Sequence, residues 1–468
     1  MTRAITAALA WLVAACATAP PRPTSVTRPE PELAVARSLH EQIVSAGNPT
    51  PVGGTLAAVL DRFYRERAWR PAWSRDRALE LTATVSAAPT DGLRLADYPL
   101  DSIRALLDLP APAPADLASL DLLLSATFLL YAEHVSAGRF TPGSADTMWS
   151  STPTNIDLGV ALRAATDSGG VASILRSLAP PYLGYERLRA RLLDAPTDVA
   201  RRIDANLERW RWLPRDLGTR YIMVNTPAFS VELRDSGRAV FAARAIVGRP
   251  DWPTPITTAT VTQIVFNPSW YIPRAIALAE VIPAQIRDST YFGRAGIRVF
   301  PARGGRAIDA ATVDWRKVTA SNYAYRLVQD PGPANPLGAV RLHAPNPFGV
   351  ALHDTPQRAL FTEPVRSVSH GCVRVDRALE LARLLLGDTP AAAPRPGRER
   401  AVTLAQPVPV IFAYWTAWVD DADVLQLRDD VYGWDARLAS ALAAPPAPRS
   451  ASASNVRTSS SSVCEKSP

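Results

Sequence analysis

SVSHGCVRV, residues 367–375, holds one of three cysteines in a chain of 468 residues, two positions after one of its five histidines. A lone cysteine is commonly a buried filler, and a cysteine beside a histidine also suits a metal-ligand pair or a nucleophile. The flanks of Cys372 are small and polar, which speaks against a packed core thiol. Upstream, NPFGVALHDTP (residues 346–356) alternates Phe348, Val350 and Leu352 with Gly349, Ala351 and His353. That period of two predicts a strand delivering His353 at its end. The 19 positions from His353 to Cys372 suit two adjacent strands joined by a loop.

The chemistry of this pairing is specific. A thiol with an ordinary pKa near 8.5 is mostly protonated at neutral pH, whereas the thiolate is the attacking species. An imidazole at His353 would take that proton. Gly371 permits a tight turn, and the N–H groups of Gly371 and Cys372 could face a developing oxyanion. His370 would either orient the loop or move protons. A zinc site from His353, His370 and Cys372 uses proper ligand types, but no H-E-x-x-H or C-x-x-C accompanies them, so no metal is expected. No Gly-rich phosphate loop is present and no cofactor is implied. Asp376 reads as the N-cap of a helix over RALELARLLLGD. His40, His134 and His343 have no such company and read as ordinary surface or helix histidines.

Composition bounds the rest. A hydrophobic fraction of 47% and a charged fraction of 20% belong to a folded globular chain. The formal charge of +7 is carried almost wholly by arginine, since Lys317 and Lys466 are the only lysines. The arginines are interspersed with acids rather than clustered, which argues against nucleic-acid binding. The first residues, MTRAITAALAWLVAACATAP, read as an export signal: Arg3, then an apolar run too short to span a bilayer. The run ends in Val13-Ala14-Ala15-Cys16, a lipobox-like site with Cys16 as the lipidated residue, the alternative being ordinary cleavage nearby. An exported, periplasmic or envelope-located and lipid-anchored protein is expected. With Cys16 so used and Cys464 in a Ser-rich tail, no disulfide framework is expected.

Along the chain, residues 1–16 read as signal peptide and 17–35 as a Pro-rich linker. Residues 36–200 read as a helical domain, with Leu56, Val59, Leu60 and Phe63 on one helix face. A Leu-rich helix follows from Leu120 to Tyr131, with Asp116 as its N-cap. That helix reads as a buried core element rather than a membrane span. Residues 201–218 read as a connecting helix ending near Pro214, and 219–442 as a β-rich domain. Within the β-rich domain 271–345 form an inserted cap, helical over 271–300, and 443–468 read as a disordered tail. The fold class is α+β.

His353-Asp354-Thr355 and Ser369-His370-Gly371-Cys372-Val373-Arg374 together resemble the signature of the L,D-transpeptidases with a YkuD-type catalytic domain. ANLERWRWLPRDLG, IVGRPDWPTPI and VFNPSWYIP extend the resemblance to the large periplasmic members with an N-terminal helical scaffold domain. The segment YERLRARLLDAPTDVARRIDANLERW leaves little room for the compact peptidoglycan-binding insert of those relatives. The resemblance implies attack by Cys372 on the bond after the third residue of a peptidoglycan tetrapeptide stem, with release of D-Ala. A second stem's amine would resolve the thioester into a 3→3 cross-link. It further implies His353 as general base, Gly371 and Cys372 amides as oxyanion donors, and Arg374 and Ser369 as substrate contacts. Other wall synthases are conceivable partners. Resolution by water would instead make an L,D-carboxypeptidase, and loss of chemistry a non-catalytic wall-binding lipoprotein.

Overall fold

The computed structural model describes residues 30–45, 52, 54–150, 152, 156–387 and 397–444. The signal segment, Cys16, Cys464 and the tail from 445 lie outside the described residues. The expected linker is shorter than its composition suggests, because a helix already runs Glu30–His40. Glu30 and Glu32 in its first turn favour the positive end of the helix dipole, and Pro31 is tolerated there because first-turn N–H groups need no partner.

Helices surround Pro114–Ala137, which is apolar on every face and has Leu122, Leu124, Phe128 and Leu129 buried. It is long and apolar enough to cross a membrane, but most of it is packed against its neighbours. Its one buried acid is fully engaged: Asp121 accepts from Tyr64 Oη at 2.6 Å and from the N–H groups of Ala72 and Trp73. Ala113, not Asp116, caps this helix. Asp116 lies three residues further on and its carboxylate accepts from the Ala113 N–H at 2.9 Å, which closes the first turn from inside. The connecting helix runs Thr197–Trp210, starting and stopping a few residues earlier than its periodicity suggests.

The β-rich domain opens with β1 (Arg220–Asn225), β2 (Ser230–Asp235), β3 (Arg238–Gly248) and β4 (Thr257–Phe266). Ser236 and Gly237, both at positive φ, make the tight β2–β3 turn that Asp235-Ser236-Gly237 predicts. The cap strands are β5 (Trp270–Ile272), β6 (Ile297–Pro301) and β7 (Tyr325–Gln329). The sheet resumes with β8 (Val340–His343), β9 (Leu352–His353), β10 (Ser367–Ser369), β11 (Val373–Val375) and β12 (Arg400–Ala413).

Sheet order is β10-β3-β11-β9-β8-β4-β12-β1-β2, and β2 also pairs with β3. The pairing closes eight strands into a barrel-like ring, with β10 continuing the β2 edge of β3. Closure leaves the ring without the open edges that expose unpaired backbone. Ile222, Val224, Val231, Leu233, Leu352 and Val373 fill its interior.

The cap is not all helical. Short helices cover 274–287 and Tyr291–Ala295, and they pack on a three-stranded sheet ordered β5-β7-β6. Gly296 in the left-handed region ends the last helix. The Ile297 and Val299 that follow alternate inward, so IRVF forms a strand where a helix was expected.

Candidate active site

β9 and β11 are neighbours, as the spacing of His353 and Cys372 predicts, and they run parallel with Val373 opposite Leu352 and Arg374 opposite His353. Leu352 and Val373 point into the barrel core. Alternation therefore turns Ala351, His353, Cys372 and Arg374 the other way, into a cavity of about 640 Å³ closed on its far side by the cap's Trp270, Tyr271 and Glu280. The paired part of the upstream strand is only Leu352–His353. Pro347 lacks an N–H and Gly349 has positive φ, and Asn346 Oδ1 accepts from the N–H groups of Phe348 and Val350. These make a turn where alternation alone predicted strand.

His353 is buried. Its Nδ1 lies 2.5 Å from the Asp354 carbonyl oxygen, so Nδ1 carries the proton and donates, and Nε2 keeps its lone pair. Burial pushes the imidazole down to about 3, with repulsion from Arg374 and Arg341 in the same direction; the bond to Asp354 opposes them. His353 is thus neutral across the physiological range. Asp354 and Thr355 hold this corner. Asp354 Oδ2 accepts from Ala339 N–H at 2.8 Å, its other oxygen from Arg358, and Thr355 Oγ1 from Gln357 N–H at 3.2 Å.

The Cys372 loop is set by its own side chains. Ser369 Oγ donates to the Cys372 carbonyl at 2.6 Å and accepts the Gly371 N–H at 3.2 Å. Thr254 Oγ1 donates to the Gly371 carbonyl at 2.8 Å and accepts from Gly248 N–H at 2.9 Å. Gly371 has φ +102°, a conformation that L side chains avoid. Two expectations change here. The Ser369 hydroxyl is committed to the loop rather than to a substrate, and the Gly371 amide already has an acceptor, so it would have to exchange Ser369 for an oxyanion. Cys372 Sγ accepts from Ala351 N–H at 3.4 Å. Cys372 is disulfide-bonded in the structure, contrary to the reading of an isolated thiol, and thiol chemistry belongs to its reduced form.

His370 does not face His353's partners. Its Nε2 lies 2.6 Å from Glu280 Oε1 on the cap, and its ring meets Trp252 edge-on at 5.0 Å. The short bond requires Nε2–H to donate, which directs the Arg249 guanidinium to Glu280, 3.7 Å away. His370 therefore ties the loop to the cap. Arg374 donates to Gln357 Oε1 at 2.6 Å, and burial lowers its pKa. Asp376 is not a cap residue: Arg377, at φ +57°, precedes the helix Ala378–Leu386, and Asp376 pairs instead with Arg244 at 2.9 Å. Glu280, Arg249 and Thr254 escaped the sequence reading because each reaches the motif from a distant segment. Among the described residues no group of three or more His, Cys, Asp or Glu side chains is arranged to hold a metal ion.

Residues 219–408 match the family model of the L,D-transpeptidase catalytic domain (YkuD), and residues 58–192 match that of the Scaffold domain. The chain thus joins a YkuD-family L,D-transpeptidase catalytic domain to an N-terminal scaffold domain. A Haemophilus influenzae protein named "Putative L,D-transpeptidase" is 26% identical over 394 residues, 81% of this chain and 78% of its own length. Among solved structures, an L,D-transpeptidase from Mycobacterium smegmatis aligns over 42% of this chain and 58% of its own, with 15% identity and a TM-score of 0.20. Mycobacterium tuberculosis L,D-transpeptidase 1 aligns over 41% and 61%, with 14% identity and a TM-score of 0.17. Superpositions this poor carry no information about the site.

Proposed function

We propose that the protein is a peptidoglycan L,D-transpeptidase that forms 3→3 cross-links through a Cys372 acyl-enzyme. The observation that carries the reading is the β9–β11 register, which turns the side chains of His353 and Cys372 into one cavity. In the reduced enzyme, His353 Nε2 takes the thiol proton as Sγ attacks the carbonyl carbon of the third stem residue. Because burial disfavours the imidazolium, the proton moves with the attack rather than ahead of it. It passes on to the departing amine of the terminal D-Ala, leaving a thioester. The side-chain amine of a second stem then attacks that carbon, His353 takes its proton, and the thiol is released as the amide cross-link forms. The Cys372 N–H faces the oxyanion, the Gly371 N–H exchanges Ser369 Oγ for it, and Arg374 holds a carboxylate of the stem. His370 positions the loop through Glu280. The export signal and Cys16 support a lipid-anchored protein outside the cytoplasmic membrane, where the polymer lies.

The test is mass spectrometry of a disaccharide-tetrapeptide incubated with the mature protein under reducing conditions, with Cys372→Ala as control. A cross-linked dimer lacking one D-Ala is the expected product. Tripeptide alone would indicate hydrolysis instead, and no product from either protein would overturn the enzymatic reading.

A further inference from the structure

A second cavity lies on the far side of the barrel. In the ring order, β1 is four strands from β9, so the outer face of β1–β2 looks away from Cys372. On that face the antiparallel register pairs Tyr221 with Arg234, Met223 with Glu232 and Asn225 with Ser230. The intervening Ile222, Val224, Val231 and Leu233 fill the barrel. The scaffold domain docks here through Tyr182 and the last residue of the connecting helix, Trp210, and the chain after β12 adds Trp415 and Trp418. Together these surround a pocket of about 310 Å³.

Its chemistry is unusual for a structural joint. Five aromatic side chains, Tyr182, Trp210, Tyr221, Trp415 and Trp418, line one small cavity. Trp210 stacks on Trp415 with centroids 4.2 Å apart and planes 18° from parallel. The Trp210 indole N–H, although buried, has no hydrogen-bond partner. Around the aromatics stand groups of both signs. Arg234 is held between Glu232 and Asp421 at 2.7 Å from each, with Asp420 beside them. A pocket meant only for packing would exclude charges.

We propose that this pocket is a saccharide site that takes a pyranose ring of a glycan strand. A sugar ring has apolar C–H faces that lie against aromatic planes, and equatorial hydroxyls that both donate and accept. Aromatic walls, carboxylates and the guanidiniums of Arg234 and Arg187 provide for both features, and two positive groups against the three negative ones of Glu232, Asp420 and Asp421 leave the lining close to neutral, which suits an uncharged ligand. A charged stem peptide would leave either the carboxylates or the guanidinium opposed. The identity of the glycan as the wall polymer rests on the transpeptidase reading above; its saccharide chemistry does not. The site would hold the enzyme on one strand while the opposite wall works on a stem.

The full mature chain carrying Cys372→Ala, labelled with ¹⁵N at the tryptophan indoles, is titrated with peptide-free chains of alternating N-acetylglucosamine and N-acetylmuramic acid. The expected result is saturable movement of an indole N–H signal that disappears in Trp210→Phe, and at least tenfold weaker binding in Trp418→Ala. Absence of any indole shift, or equal affinity in Trp418→Ala, would overturn the proposal. Binding of unrelated hexose oligomers with the same affinity would keep the saccharide site but detach it from the wall polymer. Acylation of Cys372 by donor stem, read by intact mass in Trp418→Ala with Cys372 present, is expected to be unchanged. Loss of acylation in the unsubstituted protein would count against the transpeptidase reading alone.

Discussion

The two walls of the barrel are built by opposite rules. The wall opposite the cap is made of long ladders: β1 pairs with β2 over six residues, and β4 with β12 over nine. The wall under the cap is made of β9 and β11, which share two register pairs, and its loops are fixed by side chains such as Ser369, Thr254 and Asp354. Backbone ladders hold strands without specifying any side chain beyond its burial. Side-chain to backbone bonds hold a loop in one conformation and demand particular residues. One wall therefore resists unfolding and the other holds the proposed reacting groups in place, and substitutions should separate the two.

The largest separation is expected at His353. Its replacement by alanine should slow acylation of reduced Cys372 by roughly 10²–10⁴, the usual worth of a general base. Mass spectrometry of the acyl-enzyme over time measures this, with thermal unfolding as a control for folding. Ile222 on the long wall should behave inversely. Ile222→Ala removes a fully buried side chain and should cost about 2–5 kcal/mol in urea unfolding, leaving acylation of the folded protein unchanged. Comparable losses of rate in both variants would break the contrast. Gly371→Ala falls between: forcing a β-carbon into φ +102° costs on the order of 1–3 kcal/mol, paid as a displaced loop. It should reduce acylation much more than it lowers the melting temperature, and a large melting shift with normal acylation would place the loop with the structural wall.

The contrast also explains what the sequence made legible. Residue pattern exposed the long strands, since β1, β4 and β12 are runs rich in β-branched and aromatic residues. The helical scaffold was legible for the same reason, as Leu56, Leu60 and Phe63 repeat at helical spacing. The paired His353 and Cys372 were legible because their residue types and separation constrain chemistry and strand adjacency together. The cap strands were not, because β6 follows a helix after one glycine and its five residues are too few for periodicity to speak. Nor were the contacts of Glu280 with His370 and of Thr254 with Gly371. These join positions 90 and 117 residues apart in the chain, through side chains whose identity alone carries no signal.

The last effect builds up gradually with pH, and it tests how tightly the short wall is closed. His353 in the unfolded chain titrates near its ordinary 6.5, whereas burial holds it at about 3 in the fold. Between those values the unfolded state binds a proton that the folded state does not. Stability from this group is therefore complete above pH 6.5 and is lost as pH falls toward 3. The urea midpoint should fall with acid over that window, and His353→Gln, which cannot take the proton, should show a shallower fall. Acylation should keep its base form well below pH 6, so its acid limb should show no inflection near 6.5 from this residue. An inflection there that vanishes in His353→Gln would mean that water reaches the imidazole, and that the wall under the cap is open in solution.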